Sequence, residues 1–201
     1  MTALKRVALL ICSTRTPRAG PSISSWLSTQ LPPVRGVSLS TIDLTDHISQ
    51  LPVSPNDRLM PSQQPRANPR YSDPGVQRWS DRIASFDAFI FLTPQYNWSF
   101  PAAVKVAIDH LFYEWAGKPS FIVSYGGRGG GKAALALREV FRGLKMHSWE
   151  GQVELPLGGG VPSAAQGRLD EEVVKRWEET GKPEEISKVW TELVDILSPT
   201  S

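Results

Sequence analysis

A polar, aromatic segment at residues 93–101 follows an apolar run at residues 86–92. The apolar run is typical of a buried strand, and open α/β sheets bind ligands at the carboxyl ends of such strands. Aromatic faces and backbone amides suit a planar ring that is apolar on its faces and polar at one edge. The candidate residues for such a ring are Pro94, Gln95, Tyr96, Asn97 and Trp98. The alternative is that these aromatic side chains only pack in the core.

A second polar segment, residues 13–22, joins an apolar run at residues 7–12 to a predicted helix at residues 22–30. Hydroxyls, backbone amides and a helix N-terminus can together bind a phosphate group, and arginines add charge-assisted donors. The candidate residues are Ser13, Thr14, Arg15, Arg18 and Ser22. The alternative is a polar turn in which Ser22 caps the helix. The segment matches neither G-x-G-x-x-G nor a Walker motif, so neither of those nucleotide sites is predicted.

The third candidate segment, residues 124–132, contains five glycines. Glycine allows the backbone to approach a ligand closely and to adopt positive φ. The candidate residues are Ser124, Tyr125, Gly126 and Gly127. A flexible surface turn is the alternative. Because all three segments follow predicted strands, we expect them to meet at one edge of the sheet, where they could bind a ring such as a flavin.

Strands and helices alternate along the chain, which predicts right-handed βαβ units and a parallel sheet. We predict strands at residues 7–12, 37–44, 86–92, 120–124 and 149–155, and helices at residues 22–30, 74–85, 101–112, 132–145 and 183–198. Five such strands favour the flavodoxin-like order 2-1-3-4-5, an α/β three-layer sandwich with helices on both faces of the sheet. Residues 1–201 are predicted to form one domain, in which residues 45–73 are a long loop that is functional or mobile.

The composition is that of a globular protein, with 40% hydrophobic and 21% charged residues. The formal net charge of +2 is too small to predict nucleic-acid binding. Cys12 is the one cysteine, so no internal disulfide is expected, and its place beside an apolar strand favours a buried, inert thiol. No N-terminal apolar run reaches signal-peptide or membrane-span length, so we expect a cytoplasmic protein without membrane contact. The three scattered histidines predict no metal site.

Several motifs resemble those of one family. Ser-Thr-Arg at residues 13–15 resembles the phosphate loop of the NADPH-dependent FMN reductases of flavodoxin-like fold, and Thr-Pro-Gln-Tyr-Asn at residues 93–97 resembles their flavin motif. The similarity continues through residues 101–105, 107–109, 114–119 and 124–127. It covers residues 4–145 in all. That family includes small quinone and azo-dye reductases.

The resemblance implies an enzyme that binds FMN and uses NADPH. NADPH would deliver hydride to the flavin, and a quinone, an azo compound or free flavin would then accept the electrons in a ping-pong reaction. The flavin carries this chemistry, so no side chain needs to be a catalytic nucleophile. By resemblance, the phosphate and ribityl end would be lined by Ser13, Thr14, Arg15, Ser22 and Ile23, the ring by Pro94, Gln95, Tyr96, Asn97 and Trp98, and its polar edge by Ser124, Tyr125, Gly126 and Gly127.

Three further expectations concern the surroundings of the site. Cys12 stands where the family's first loop usually has a glycine, so its side chain is expected to narrow the phosphate pocket or displace the loop. Residues 45–73 and 158–167 are expected to shape the acceptor pocket. The resemblance also implies a homodimer or homotetramer. The expected contact stripe is Val104, Ile108, Leu111 and Trp115, with the core of the same chain as the alternative.

Two other functions stay open at this point. One is a non-catalytic flavin-binding module, either a redox sensor that binds a partner protein or an electron carrier. Electron carriers of this fold are usually strongly acidic, so the net charge of +2 disfavours that role. The other is a chain that has lost flavin and serves as a scaffold, or as a tailoring enzyme in a biosynthetic pathway.

Overall fold

The computed structural model describes residues 4–197 of the chain. Within them, the sheet comprises β1 (Lys5–Ile11), β2 (Val37–Asp43), β3 (Ala88–Pro94), β4 (Pro119–Gly126), β5 (His147–Ser148) and β6 (Val153–Pro156). The order is β2-β1-β3-β4, and β4 pairs in parallel with both β5 and β6 along one side. The predicted order 2-1-3-4-5 is therefore confirmed, with a fifth strand that is divided into two pieces.

Helices cover both faces of this sheet, as the predicted sandwich requires. In the described part of the chain they are α1 (Gly20–Thr29), α2 (Thr45–Ile48), α3 (Pro74–Ala84), α4 (Ala102–Asp109), α5 (Gly131–Gly143), α6 (Val161–Ala165), α7 (Glu171–Glu179) and α8 (Lys182–Leu197). Helices α1, α7 and α8 pack with Val7 and Leu9 of β1, whereas α3, α4 and α5 pack with Ala8 and Leu10. None of these helices combines the length and apolarity that crossing a bilayer would require.

Strand β3 lies at the centre of the sheet, and all seven of its residues are buried. A strand that is covered on both faces needs a continuous apolar run, which the Phe-Ile-Phe-Leu stretch of β3 supplies. Ile11 of β1 pairs with Leu92, and Pro94 pairs with Tyr125 of β4. This register aligns the carboxyl ends of three strands, so the segments that follow them emerge side by side.

The predicted continuous strand at residues 149–155 is wrong because the chain bends between β5 and β6. The Trp149 ring folds over Gly151, where an added Cβ would lie 2.2 Å from the ring. Arg138 Nη2 donates to the Gly151 carbonyl at 2.9 Å and so holds the bend. Trp149 still donates to the Ser120 carbonyl of β4 at 2.9 Å, and residues 150–152 then leave the ladder before β6 rejoins it.

Several helix predictions also need correction. Helix α4 ends at Asp109, before the predicted residue 112. The glycines at residues 158–160 form a 3-10 turn that leads into α6, rather than an open loop. Helix α7 buries only Val173 and Trp177 among many charged residues, which made its sequence signal weak. Helix α8 matches the prediction for residues 183–198, whose last residue, Ser198, lies outside the described residues.

Residues 45–73 are a long connecting segment with two short helical turns, and several hydrogen bonds tie it to the body of the protein. The segment opens with α2 and contains a 3-10 turn at Pro61–Gln63. Its far end is tied to the body by the Tyr71 hydroxyl, which donates to Glu114 Oε1 at 2.9 Å. Further contacts hold its middle: His110 Nε2 lies 2.8 Å from the Pro52 carbonyl, and the Tyr113 hydroxyl donates to the Ser62 carbonyl at 3.1 Å.

The stripe that was expected to form a subunit contact belongs instead to the core of the same chain. Val104, Ile108, Leu111 and Trp115 are at most 2% exposed. They pack with α3 and with the face of the sheet that α3 covers. Helical spacing of apolar residues indicates a buried face but does not say which partner buries it. The contact-surface prediction for this stripe is therefore wrong.

Glu114 is the buried group on which the 45–73 segment depends. Its carboxylate is 4% exposed and accepts hydrogen bonds from the Tyr71 hydroxyl, from Ser80 Oγ at 2.5 Å and from the Phe112 amide at 3.3 Å. A buried carboxylate that loses a donor keeps its desolvation cost. We expect Tyr71→Phe to lower the free energy of unfolding by about 1 to 3 kcal/mol.

Urea denaturation measures this difference directly. Tyr113→Phe is the matched control, because the hydrogen bond that it removes is exposed, and it should change the unfolding free energy by less than about 0.5 kcal/mol. Equal losses in the two variants would show that Glu114 does not anchor the segment.

Candidate functional site

The three candidate segments meet at a cleft of about 170 Å³ at the carboxyl edge of the sheet. The predicted site residues that line it are Arg15, Pro94, Gln95, Tyr96, Tyr125, Gly126 and Gly127. Arg15 follows β1. Pro94, Gln95 and Tyr96 lie at or just after the end of β3, and Tyr125, Gly126 and Gly127 lie at or just after the end of β4. The structure thus brings the segments together as the order of the strands requires.

The other predicted residues do not line this cleft. They are Ser13, Thr14, Ser22, Ile23, Asn97, Trp98 and Ser124. Ile23 is fully buried in the core, and Ser124 Oγ donates to the Gly129 carbonyl at 2.9 Å. Ser22 does not cap the helix, since α1 begins at Gly20, and its hydroxyl instead donates to the Gly167 carbonyl at 2.9 Å.

A fourth wall of the cleft comes from the C-terminal quarter of the chain. This wall consists of Leu157, Val161, Ala164 and Ala165, and the lining is completed by Pro17, Ala19 and the phosphate candidate Arg18. Residues 157–165 follow β6, so they too leave a strand at its carboxyl end, and that position was the signal that could have placed them. Of residues 158–167, Val161, Ala164 and Ala165 line the cleft, whereas no described residue of 45–73 lines it.

The glycine-rich segment has two distinct parts. Gly130 has φ +84, and a Cβ there would lie 2.7 Å from the Tyr125 carbonyl oxygen, so only glycine fits without strain. A Cβ on Gly131 would lie 2.5 Å from the Glu154 carboxylate, which packs beneath the segment. Gly127 faces the cleft, and its amide and that of Arg128 donate no hydrogen bond to the described residues. These two amides can serve a ligand.

Residues 96–99 form a tight turn beside the cleft. The Tyr96 amide donates to the Ser99 carbonyl at 2.8 Å, and the Ser99 amide donates back at 2.9 Å. Asn97 and Trp98 have φ of 46 and 71, the pattern of a type I′ turn. A bulky residue with positive φ is strained, and such strain clusters at functional sites. The Trp98 side chain is 68% exposed, so packing does not explain its place.

The segment after β1 leaves one buried donor unused. Within residues 4–197, Arg18 Nη1 has no hydrogen-bond partner, whereas the Ser13 hydroxyl bonds with the Tyr125 side chain. Ser13 and Arg18 belong to the segment that enters α1, and Ser13 Oγ lies against Gly20, where a Cβ would clash with it. A phosphate at this helix N-terminus would satisfy a donor of this kind. The residues present therefore fit the phosphate end of FMN.

The electrostatics of the ring wall favour neutral phenols. Burial raises the pKa of Tyr125 and of Tyr96, although Arg15 and Arg18 oppose the shift at Tyr96. Both phenols thus stay protonated and can donate hydrogen bonds. The Arg15 guanidinium lies 5.9 Å from the centroid of the Tyr96 ring, within the range of a cation–π contact.

Cys12 does not narrow the site, contrary to the sequence-based expectation. Its side chain is fully buried in the same cluster as Ala8 and Leu10, and its Sγ donates to the Leu10 carbonyl at 3.5 Å. It is absent from the lining of the cleft. Burial raises the pKa of this thiol, which agrees with the expected inert cysteine.

A doubly wound parallel sheet that carries phosphate donors and a ring-sized cleft at its carboxyl edge defines a flavodoxin-like nucleotide-binding protein. Comparison with known proteins narrows this class. The sequence model of the NADPH-dependent FMN reductase family matches residues 5–159. The chain belongs to this family, and the prediction of a flavin-dependent NAD(P)H oxidoreductase is confirmed.

Individual relatives agree with this assignment. An NAD(P)H-dependent FMN reductase of Saccharomyces cerevisiae is 36% identical over 159 residues, which are 76% of this chain and 82% of the yeast protein. An NAD(P)H-dependent FMN reductase of Nectria sp. is 34% identical over 96% of this chain and 98% of its own length. An NADPH:quinone oxidoreductase of Arabidopsis thaliana is 32% identical over 71% of this chain and 69% of its own.

A solved structure supports the fold. The flavoenzyme FerB of Paracoccus denitrificans, an NAD(P)H:(acceptor) oxidoreductase, superposes with a TM-score of 0.64. The alignment covers 94% of this chain and 98% of FerB at 23% identity. This likeness extends through the C-terminal quarter, where the sequence motifs are absent.

The two parts of the glycine segment should respond differently to alanine. Gly127→Ala should keep the stability of the protein, since φ there is not left-handed and the nearest atom to a new Cβ, Val161 Cγ2, is 3.6 Å away. The added methyl should hinder a bound ring and raise the FMN dissociation constant about tenfold or more. Flavin fluorescence titration measures the affinity.

Gly130→Ala is the matched variant, and it should lower stability by about 2 kcal/mol or more. Tight FMN binding by Gly127→Ala would remove Gly127 from the site.

Substitution of Trp98 should weaken cofactor binding without lowering the stability of the protein. Trp98→Gly relieves the left-handed strain and exposes little new apolar surface, so the melting temperature should stay the same or rise. Loss of the exposed indole beside the cleft should raise the FMN dissociation constant or the KM for NADPH severalfold. Asn97→Gly is the control, because it relaxes the same turn without removing a ring. A lower melting temperature for Trp98→Gly, with unchanged binding, would assign Trp98 to packing.

Proposed function

We propose that the chain is a single FMN-binding domain that transfers hydride from NADPH through the bound flavin to a small-molecule acceptor, by a ping-pong mechanism. The acceptor is a quinone, an azo compound or free flavin, and a quinone suits the cleft best. The observation that carries the proposal is that one cleft holds unused donors from two different loops. Arg18 Nη1 belongs to the loop after β1, and the Gly127 amide belongs to the loop after β4.

The other residues that line the cleft provide the apolar surface and the hydrogen-bond donor that a flavin ring requires. Bound FMN would supply the redox chemistry, and the protein supplies binding and orientation. Pro94 and Tyr96 offer apolar surface to the ring. Gln95 Oε1 accepts from the Lys132 amide at 3.1 Å, which fixes the side chain and leaves its NH₂ group free to donate to an acceptor atom. No described side chain is required as a nucleophile.

The C-terminal wall of the cleft suits an apolar, flat acceptor. It is formed by Leu157 and by Val161, Ala164 and Ala165 of α6. These side chains are small or apolar and carry no charge, so they complement the face of an aromatic or quinoid ring. A highly charged acceptor would find no charged partner on this wall.

The assembly and location of the protein are part of the same proposal. A homodimer or homotetramer follows from the family resemblance, and it must use residues other than the buried stripe from Val104 to Trp115. The buried lone thiol and the dependence on NADPH suit a reducing compartment, most simply the cytoplasm. Light scattering of the purified protein tests the assembly.

The test of the function begins with the visible spectrum of the protein as purified. We expect flavin bands from released FMN, bleaching by NADPH without oxygen, and return of the bands on addition of a benzoquinone. Initial rates at several fixed quinone concentrations should give parallel double-reciprocal lines. Bleaching without quinone turnover would favour the non-catalytic redox sensor. A protein that stays colourless after incubation with FMN and desalting would favour the scaffold instead.

A further inference from the structure

Arg18 and Asp43 form an ion pair beneath the cleft. Arg18 belongs to the segment after β1, and Asp43 is the last residue of β2. Arg18 Nη2 donates to Asp43 Oδ2 at 2.6 Å, and the two side chains are only 16% and 20% exposed. The other carboxylate oxygen, Asp43 Oδ1, accepts from the Thr45 amide at 3.0 Å. The carboxylate is thus fixed on both sides, and it fixes the guanidinium in turn.

The rest of the Arg18 guanidinium is poised for an anion. Its Nη1 atom is buried and has no hydrogen-bond partner among residues 4–197, although Arg18 lines the cleft. A buried donor without a partner is costly. The Ser13 hydroxyl is fully buried beside the Tyr125 hydroxyl, and it lies against the first residue of α1, a helix of ten residues. The unused Arg18 donor therefore stands next to the start of this helix.

Arg15, the arginine of the Ser-Thr-Arg motif, is placed differently. Its side chain is exposed, it has no ion pair within the described residues, and it stands over the Tyr96 ring. An exposed, unrestrained guanidinium contributes less to binding an anion than one that is held in place, because ordering it costs entropy. Its position places it along the ring wall instead.

We propose that Arg18, and not Arg15, is the main cationic ligand of the FMN phosphate, and that Asp43 is a positioning residue that keeps Arg18 turned toward it. The inference rests on the proposed FMN function. The fork of the guanidinium lets one nitrogen bind the carboxylate while another binds the phosphate, which the point charge of lysine cannot reproduce. Asp43 already shares its charge with Arg18, so its orienting effect outweighs its repulsion of the phosphate.

The test compares FMN with riboflavin, which lacks the phosphate, by fluorescence titration of flavin-free protein. Arg18→Gln should raise the FMN dissociation constant about 10- to 100-fold and leave that of riboflavin unchanged. Arg18→Lys should recover only part of the loss. Arg15→Gln is the matched control, and it should weaken both flavins to a similar extent. An Arg18→Gln variant with the same FMN-to-riboflavin preference as the wild type would overturn the inference.

Asp43→Asn tests the positioning role. The asparagine amide oxygen can still accept from the Thr45 amide, so the hydrogen bond to the first residue of α2 is kept. FMN affinity should fall about 3- to 10-fold at constant riboflavin affinity. An increase in FMN affinity would mean that Asp43 acts only as a repulsive charge and would refute positioning. Unchanged riboflavin binding shows in the Arg18 and Asp43 variants that the fold is intact.

NADPH also carries phosphate groups, so a second experiment determines whether Arg18 binds the phosphate of FMN or a phosphate of NADPH. With saturating FMN, the ratio of KM for NADH to KM for NADPH should be the same in wild type and Arg18→Gln. A collapse of that ratio, with an unchanged FMN-to-riboflavin preference, would assign Arg18 to NADPH and overturn the inference. If the wild type binds neither flavin, the proposed function fails as well. If it binds FMN and only the Arg18 result is negative, the function stands and this inference alone fails.

Discussion

The pairing of β3 between β1 and β4 is the constraint on which the site depends. The ladder aligns Ile11 with Leu92, and Pro94 with Tyr125. Because both faces of β3 are buried, a slip of one residue would exchange the side chains of its two faces and disrupt both cores. The register is therefore rigid, and with it the point at which each loop leaves the sheet. The cleft is a consequence of strand alignment more than of any contact between the loops.

Local signals were strong enough to predict this arrangement from the sequence. Continuous apolar runs marked β1, β3 and β4, and polar or glycine-rich residues marked the segments that follow them. Such features depend only on neighbouring residues. They therefore led to wrong predictions where contacts between distant segments determine the structure. The stripe from Val104 to Trp115 looks the same whether its own chain or a second one covers it. The bend at Gly151 depends on the Trp149 ring, whose position no periodicity reveals.

Parts of the site that join distant segments were also beyond the sequence. The Ser22 hydroxyl bonds to the Gly167 carbonyl across 145 positions, and Arg18 bonds to Asp43 across 25. Sequence analysis identified Arg18 as a candidate but not the carboxylate that holds it. The glycine run was interpreted as an adaptation to a ligand, and its first half does lie at the cleft. Its second half, however, is shaped by the Glu154 carboxylate, which leaves no room for side chains at Gly129 and Gly131.

The anchored segment between α2 and α3 has a consequence for the handling of the protein. Its composition, rich in proline, serine and asparagine, is that of a linker, and it carries exposed arginines at positions 58, 66 and 70. Proteases cleave such stretches when the segment can detach from the body of the protein and enter the protease active site. Here Asp57 is tied to Ser72, Ser62 to Tyr113, and Arg70 to Gln64. Trypsin should therefore spare a region that its sequence alone would mark for cutting, and the chain should survive digestion as one piece.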